Sequence, residues 1–170
     1  SEYYDDEYGF DWVNISDICD GMTITETKKK ISQLYIDRYK PSIIPTGSLL
    51  YSFKLSVGQT AFAGKPIYSN EAIAAFLEDK NVNLHFFRYS SSFIIENAQT
   101  NIYNAKILNQ DLINNALVPF PPLSEQQKIS AHLDSECAKI DDVISKSKAT
   151  IEEYKKLKQS VITEAVTKGI

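Results

Sequence analysis

The feature that most constrains this chain is a proline-rich segment followed by a long stretch without proline. Three prolines within residues 119–122 fix extended backbone and remove amide donors, so residues 118–123 are expected to form a stiff arm. Ser124 follows directly, and its Ser-x-x-Gln spacing to Gln127 predicts a capping box at the start of a helix. The next glycine, Gly169, stands where a helix would end.

Apolar residues then recur in alternating steps of four and three, which is the spacing of a coiled-coil seam. The predicted interface consists of Leu133, Cys137, Ile140, Ile144, Ile151, Tyr154 and Val161, followed by Ala165 and interrupted by Ser147 and Lys158. At about 1.5 Å per residue, Glu125–Thr167 would form roughly 64 Å of helix. A short amphipathic helix can lie on its own domain, but a seam of this length requires a partner helix. That partner would be antiparallel, from a second copy or from the second half of a longer subunit.

Residues 1–117 predict one α+β domain, since strand-like and helix-like segments interleave without a regular βαβ repeat. The predicted elements are a strand at Trp12–Ile18, a helix from Ile31 to Tyr39, a hairpin of Ser48–Leu55 and Gln59–Ala63, a helix capped by Asn83 that runs to Ala98, and a loop at Asn97–Asn104. Glu71–Glu78 is compatible with a helix by propensity and with a third strand by its neighbours. The resulting boundaries are a domain over 1–117, an arm over 118–123 and a spacer helix over 124–170.

Composition places the chain among cytoplasmic globular proteins. Hydrophobic residues make up 43% of the chain, without a run of about 18 apolar residues that could span a membrane. The acidic N-terminal residues lack the order of a signal peptide. The two cysteines, Cys19 and Cys137, are expected to be reduced, and their spacing predicts neither a disulfide nor a metal site.

Charge is distributed unevenly along the chain, whose net charge is −4. Residues 1–20 contain seven acids and no base, whereas residues 21–123 contain ten bases and seven acids. Residues 124–170 contain eight of each, as is typical of a coiled-coil surface. The middle of the chain is therefore basic enough to permit nucleic-acid binding without requiring it.

Motifs for catalysis are missing from the sequence. Pro121 and Pro122 follow Phe120, so the Asn/Asp-Pro-Pro-aromatic motif of amino-group methylation is not formed, and no glycine-rich phosphate loop occurs. The tripeptide Glu78–Lys80 resembles part of a nuclease motif, but a suitable upstream acid is lacking. His85 and His132 are isolated, which favours packing or surface roles. We therefore expect no catalytic activity and no metal site.

Two segments at opposite ends of the predicted helix, Pro121–Ile129 and Ser160–Gly169, resemble the specificity subunits of type I restriction-modification systems. Ile44–Gly58, Ser69–Ile73 and Trp12–Asp17 resemble parts of the target recognition domain of the same subunits. The resemblance implies a domain that reads half of a bipartite DNA site, with a helix that docks methyltransferase and restriction subunits. Full-length subunits have two such domains and two such helices. S-adenosylmethionine, ATP and Mg would be bound by the partner subunits, and no cofactor by this chain.

Candidate contacts to double-stranded DNA follow from side-chain chemistry. Lys28, Lys29, Lys30 and Lys54 are the candidates for phosphates, and Gln99, Asn101 and Asn104 for base edges. Three adjacent lysines can also form a simple solvated surface. The alternative function is a coiled-coil interaction or scaffold protein that does not bind DNA, and salt-dependent retention of DNA would distinguish the two.

Overall fold

The computed structural model confirms an α+β fold with a long C-terminal helix. It describes residues 2–4, 8–54, 56–97, 99–100 and 106–169. The chain divides into two compact units, Ser1–Gln127 and Lys128–Ile170. The first unit contains the strands and short helices, and the second contains only the continuation of the long helix.

The described residues form nine strands and four α-helices. In chain order these are β1 (Phe10–Val13), β2 (Met22–Ile24), β3 (Lys29–Ile31), α1 (Gln33–Tyr39), β4 (Leu49–Ser52), β5 (Thr60–Ala63), β6 (Tyr68–Ser69), β7 (Ile73–Phe76), α2 (Leu84–Ser90), β8 (Gln99–Thr100), β9 (Lys106–Ile107), α3 (Gln110–Asn114) and α4 (Leu123–Lys168). Short 3-10 helices span Ile15–Asp17 and Ser91–Asn97.

The strands form three sheets. A four-stranded sheet has the order β2-β5-β4-β7, in which β4 is antiparallel to both neighbours and β2 runs parallel to β5. A three-stranded sheet has the order β3-β1-β6, and β8 pairs with β9. The β4–β5 pairing confirms the predicted hairpin. Glu71–Glu78 contains strand β7, so the neighbouring strands outweigh the helix propensity of its alanines.

The core surrounds β4, whose four residues are all buried because both faces of this central strand are covered. Leu50 faces an apolar cluster shared with β1 and β5. Leu49 and Tyr51 point to the opposite face, as strand alternation requires, where Leu49 shares an apolar cluster with Leu84, and Tyr51 shares one with Ile94. Strand β4 therefore lies at the centre of the core, with apolar clusters on both of its faces.

Side-chain caps fix where the short helices begin. Asn83 accepts a hydrogen bond from the Phe86 amide at 2.9 Å, which confirms the predicted cap. The predicted helix to Ala98 is too long, because α2 ends at Ser90 and a 3-10 helix follows. The predicted strand at Trp12–Ile18 is also too long. The Asn14 amide donates to Asp17 Oδ2 at 2.9 Å, and this contact closes a 3-10 turn directly after β1.

Helix α4 spans 46 residues, or roughly 69 Å. The prediction that Ser124 caps this helix is wrong. The helix begins at Leu123, one residue before Ser124, and the Pro122 carbonyl accepts from the amides of Glu125 and Gln126 at 2.8 and 3.0 Å. Ser124 therefore lies within the first turn. Among the described residues, no helix is both long and apolar enough to cross a bilayer.

Gln126 ties the start of α4 to the first unit. Its side chain is fully buried. Its Oε1 atom accepts from the Asn83 amide at 2.8 Å, and its Nε2 atom donates to the carbonyls of Asn81 and Pro121 at 3.1 and 2.8 Å. One side chain thus joins the proline arm, the start of α4 and the residue that caps α2.

Tyr51 provides a test of the core. Its side chain is fully buried, burial raises its pKa to about 12, and its hydroxyl has no hydrogen-bond partner in the described part of the chain. Tyr51→Phe is therefore expected to leave the free energy of unfolding unchanged or to raise it by up to about 1 kcal/mol. Urea unfolding followed by fluorescence of Trp12, the single tryptophan, measures this.

Tyr68→Phe is the matched control, because that partly exposed hydroxyl can reach water in the folded and unfolded states. We expect a change within about 0.5 kcal/mol for the control. A loss of more than about 1 kcal/mol for Tyr51→Phe would show that the buried hydroxyl makes a favourable contact.

Candidate nucleic-acid interface

Two of the three adjacent lysines, Lys29 and Lys30, lie on opposite faces of the β3-β1-β6 sheet, and Lys28 precedes it. Lys29 and Lys30 lie in β3, and successive strand residues point to opposite faces. Lys29 is opposite Trp12 in the register and is exposed, with its Nζ atom 5.6 Å from the centre of the Tyr4 ring. Lys30 is opposite Asp11 and is half-buried. The lysine run is therefore not one continuous phosphate-binding patch.

The face opposite Lys29 is organised by Asp11. This carboxylate is 9% exposed, lies 2.6 Å from Lys65 Nζ, and accepts from the amide and hydroxyl of Thr27 at 2.9 and 3.0 Å. Burial acts to raise the pKa of Asp11, but the hydrogen bonds from Lys65 and Thr27 outweigh it and the pKa is lowered. Lys65 is thus part of the fold rather than a free cation.

Lys54 follows β4 and forms an exposed ion pair with Glu71, with 3.3 Å between Nζ and Oε1. The pKa of Glu71 is lowered by a hydrogen bond from its own backbone and by Lys54. Exposed pairs of this kind are weak, so a phosphate could exchange for the carboxylate at small cost. Lys54 remains a candidate contact.

A group of aromatic rings lies on the same side of the sheet as Lys29, which is opposite Trp12 in the register. We call it the tyrosine cluster, and it consists of Tyr3, Trp12, Tyr35 and Tyr39 together with Arg38. Tyr35 is central, with ring centroids 6.1 Å from Tyr3, 5.3 Å from Trp12 and 4.7 Å from Tyr39. The Tyr3 and Tyr39 rings are 5.8 Å apart in an edge-to-face arrangement. Such pairs contribute roughly 0.5 to 1.5 kcal/mol beyond burial.

Burial raises the pKa of Tyr35, and the neighbouring Tyr4, Tyr39 and Glu71 raise it further. Tyr4 is the ring beneath Lys29, and Glu71 is the partner of Lys54. Lys29 is opposite Trp12 in the register, and the Trp12 ring contacts Tyr35, so the fold brings Lys29 close to this aromatic surface. The sequence did not predict this surface, because it depends on the pairing of β1 with β3 and on the contact of Trp12 in β1 with Tyr35 in α1.

Of the three predicted base readers, Gln99 lies within the described residues. Gln99 is in β8, and its backbone pairs with Ile107. Asn101 and Asn104 lie outside the described residues. These three side chains remain predictions.

An open cleft of about 720 Å³ lies elsewhere in the first unit. Its lining includes Glu78, Asp79 and His85, and the His85 ring stacks on Phe62 with centroids 4.6 Å apart. Two carboxylates make this cleft a poor site for phosphate. Within the described residues, no group of three or more histidine, cysteine or acidic side chains is placed to bind a metal ion.

The second candidate surface is the seam of α4. Its described apolar side chains are exposed in the single chain, at 58% for Ile140, 44% for Ile144, 53% for Ile151, 67% for Tyr154 and 58% for Val161. Leu133 is partly exposed and Cys137 is exposed. Ion pairs such as Lys146–Asp142 at 2.6 Å and Lys155–Glu152 at 2.7 Å occupy other faces of the helix. The seam is therefore an unpartnered apolar stripe on a polar helix.

Comparisons with known proteins show what this chain resembles in sequence and in fold. The chain is 26% identical over 176 aligned residues to the type I restriction enzyme EcoBI specificity subunit of Escherichia coli, covering 98% of this chain and 34% of that protein. Two solved structures resemble the whole chain at 20% identity. One, from work on complex assembly and conformational transition of a type I R-M system, has a TM-score of 0.81, and this chain covers 42% of it. The other is the HsdS subunit from Thermoanaerobacter tengcongensis, with a TM-score of 0.70 and 41% covered.

The chain thus spans about a third of the curated relative and about two fifths of each solved structure. Residues 2–153 match the family model for the type I restriction modification DNA specificity domain. That match includes both the first unit and most of α4, as the sequence resemblance predicted. The chain belongs to the type I restriction modification DNA specificity domain family.

Proposed function

We propose that this chain reads one half of a bipartite duplex DNA site for a type I restriction-modification enzyme. The family match to residues 2–153 is the observation that carries the proposal. Lys29, which is opposite Trp12 of the tyrosine cluster, and Lys54, in an exposed ion pair, would supply the charge that a phosphate backbone requires. The chain itself would catalyse no reaction, and it would act in the cytoplasm.

Helix α4 would hold the assembly together in this proposal. Its exposed seam would pair with an antiparallel helix, from a second copy or from the other half of a longer subunit. The paired helices would dock the methyltransferase and restriction subunits, which bind S-adenosylmethionine, ATP and Mg. The matched relative is about three times as long as the stretch covered here, which accommodates a second domain and helix.

The salt dependence of DNA binding tests the phosphate contacts. Replacing Lys28, Lys29 and Lys30 together by alanine should reduce the slope of log affinity against log salt by roughly 0.9 for each phosphate that these lysines neutralise. The measurement is filter binding to a mixed-sequence duplex over a range of salt concentrations. Removal of a base reader at Gln99, Asn101 or Asn104 should instead cost about 1 to 3 kcal/mol on the cognate site alone.

The control replaces Lys139, Lys146 and Lys155 by alanine, which removes the same charge from ion pairs on α4. We expect this control to keep the parent slope. A parent slope in the Lys28, Lys29 and Lys30 variant would remove that run from the DNA footprint. If the unmodified protein does not retain DNA at low salt, the alternative of a coiled-coil scaffold protein is favoured. The exposed seam of α4 is the observation that supports this alternative.

A further inference from the structure

Arg38 is an exposed cation of the tyrosine cluster and is held by two of its rings. Its Nη1 atom donates a hydrogen bond to the Tyr3 hydroxyl at 2.7 Å. Its guanidinium carbon lies 5.8 Å from the centre of the Tyr3 ring and 5.6 Å from that of Tyr39. Two aromatic faces and one hydroxyl therefore hold this side chain, whereas surface arginines usually sample many rotamers.

The residues that hold Arg38 are themselves fixed to the fold. The Ser32 amide donates to the Tyr3 carbonyl at 3.0 Å, and the Ser32 hydroxyl donates to the Glu2 carbonyl at 2.9 Å. Ser32 also caps α1 by accepting from the Tyr35 amide. The backbone of Glu2 and Tyr3 and the Tyr3 side chain thus brace α1.

No carboxylate within the described residues forms an ion pair with Arg38. The nearest acid along α1, Asp37, accepts a hydrogen bond from Gln33 at 2.8 Å. Since one of five N–H groups is used by Tyr3, the planar guanidinium keeps donors for an incoming ligand. Arg38 is thus fixed and exposed, and no described carboxylate pairs with it, so its guanidinium is suited to the tetrahedral oxygens of a phosphate.

We propose that Arg38 is a phosphate contact to duplex DNA, held in its binding position by Tyr3 and Tyr39. This inference rests on the proposed DNA-binding function and extends it, because Arg38 was not among the candidates from the sequence. Lys29 lies on the same face of the sheet as Trp12 of this cluster, opposite it in the register of β1 and β3. The phosphate contacts therefore centre on the tyrosine cluster rather than on the lysine run.

Three variants test this role against a mixed-sequence duplex. Arg38→Ala should reduce the salt slope by roughly 0.9. Arg38→Lys should keep most of the slope but weaken binding by about 10-fold, because lysine lacks the planar fork. Tyr3→Phe keeps the ring and removes the hydrogen bond, so it should weaken binding less than Arg38→Ala and leave the slope unchanged. Circular dichroism and Trp12 fluorescence confirm that each variant is folded.

Lys80→Ala is the control, since it removes the same charge from the cleft that carries Glu78 and Asp79. We expect the control to bind with the parent slope and affinity. If the parent binds DNA with a measurable salt slope while Arg38→Ala binds identically, the inference is wrong and the proposed function stands. If the parent itself shows no salt-dependent binding, the proposed function fails. Loss of methyltransferase-subunit association in Arg38→Ala with unchanged DNA binding would assign the cluster to protein docking and overturn the inference.

Discussion

Gln126→Leu is expected to lower the free energy of unfolding of the first unit by about 2 to 3 kcal/mol. Leucine has a similar size but makes none of the three hydrogen bonds to Asn83, Asn81 and Pro121. The Asn83 amide would then be left without its acceptor beside a fully buried side chain. Urea unfolding followed by Trp12 fluorescence reports on this unit, because Trp12 lies within it.

Gln126→Glu provides a sharper form of the same test. At neutral pH its carboxylate can accept from the Asn83 amide, but it would face the carbonyls of Asn81 and Pro121 without a proton to donate. Burial and those carbonyls should raise its pKa above the unfolded value, so the destabilisation should diminish as the pH falls through the raised pKa.

The control is Gln127→Leu at the next, exposed position, which should change stability by less than about 0.5 kcal/mol. Equal effects at both positions would contradict the role of Gln126.

Ile144→Asp combined with Ile151→Asp should abolish pairing through α4. Both side chains lie on the exposed seam, and each substitution would occur twice in a dimer. Losing burial of an isoleucine costs about 1.5 to 3 kcal/mol, so the dissociation constant should rise by at least about 1000-fold. Light scattering of the purified chain measures the change as a fall in mass from an assembled species to a monomer.

Ser145→Asp with Ala149→Asp is the control for the seam. These substitutions add the same two charges to the same turns of α4 but at positions outside the heptad seam. The control should keep the parent mass. An assembled species that survives the seam substitutions unchanged would show that α4 does not pair through this stripe.

Local rules explain which parts of the fold the sequence predicts. The Asn83 cap, the β4–β5 hairpin and the continuous helix after the proline arm depend on neighbouring residues, and all three are present. The prediction of a Ser124 cap was wrong for a local reason, because the Pro122 carbonyl starts the helix one residue earlier. Short-range patterns are therefore reliable for the type of an element and less so for its ends.

The functional surfaces depend on contacts between distant parts of the chain. Gln126 bonds to Asn83, 43 residues earlier, and Arg38 bonds to Tyr3, 35 residues earlier. Pairing of β3 with β1 places Lys29 and Lys30 on opposite faces of the sheet. Sequence spacing cannot reveal such contacts, so the sequence identified the basic region and the seam but not the tyrosine cluster.

Selection of bound sequences from a random duplex library tests the central claim most directly. The account predicts enrichment of one short motif present twice in inverted orientation, because an antiparallel pair of α4 helices places the two helix starts at opposite ends. The gap between the copies should be fixed and no longer than roughly 20 base pairs, given about 69 Å of helix and 3.4 Å per base pair. Insertion of one heptad after Ser147 should lengthen the preferred gap by up to about 3 base pairs. Recovery of a single contiguous site, the same gap from both proteins, or no enriched sequence would contradict the account.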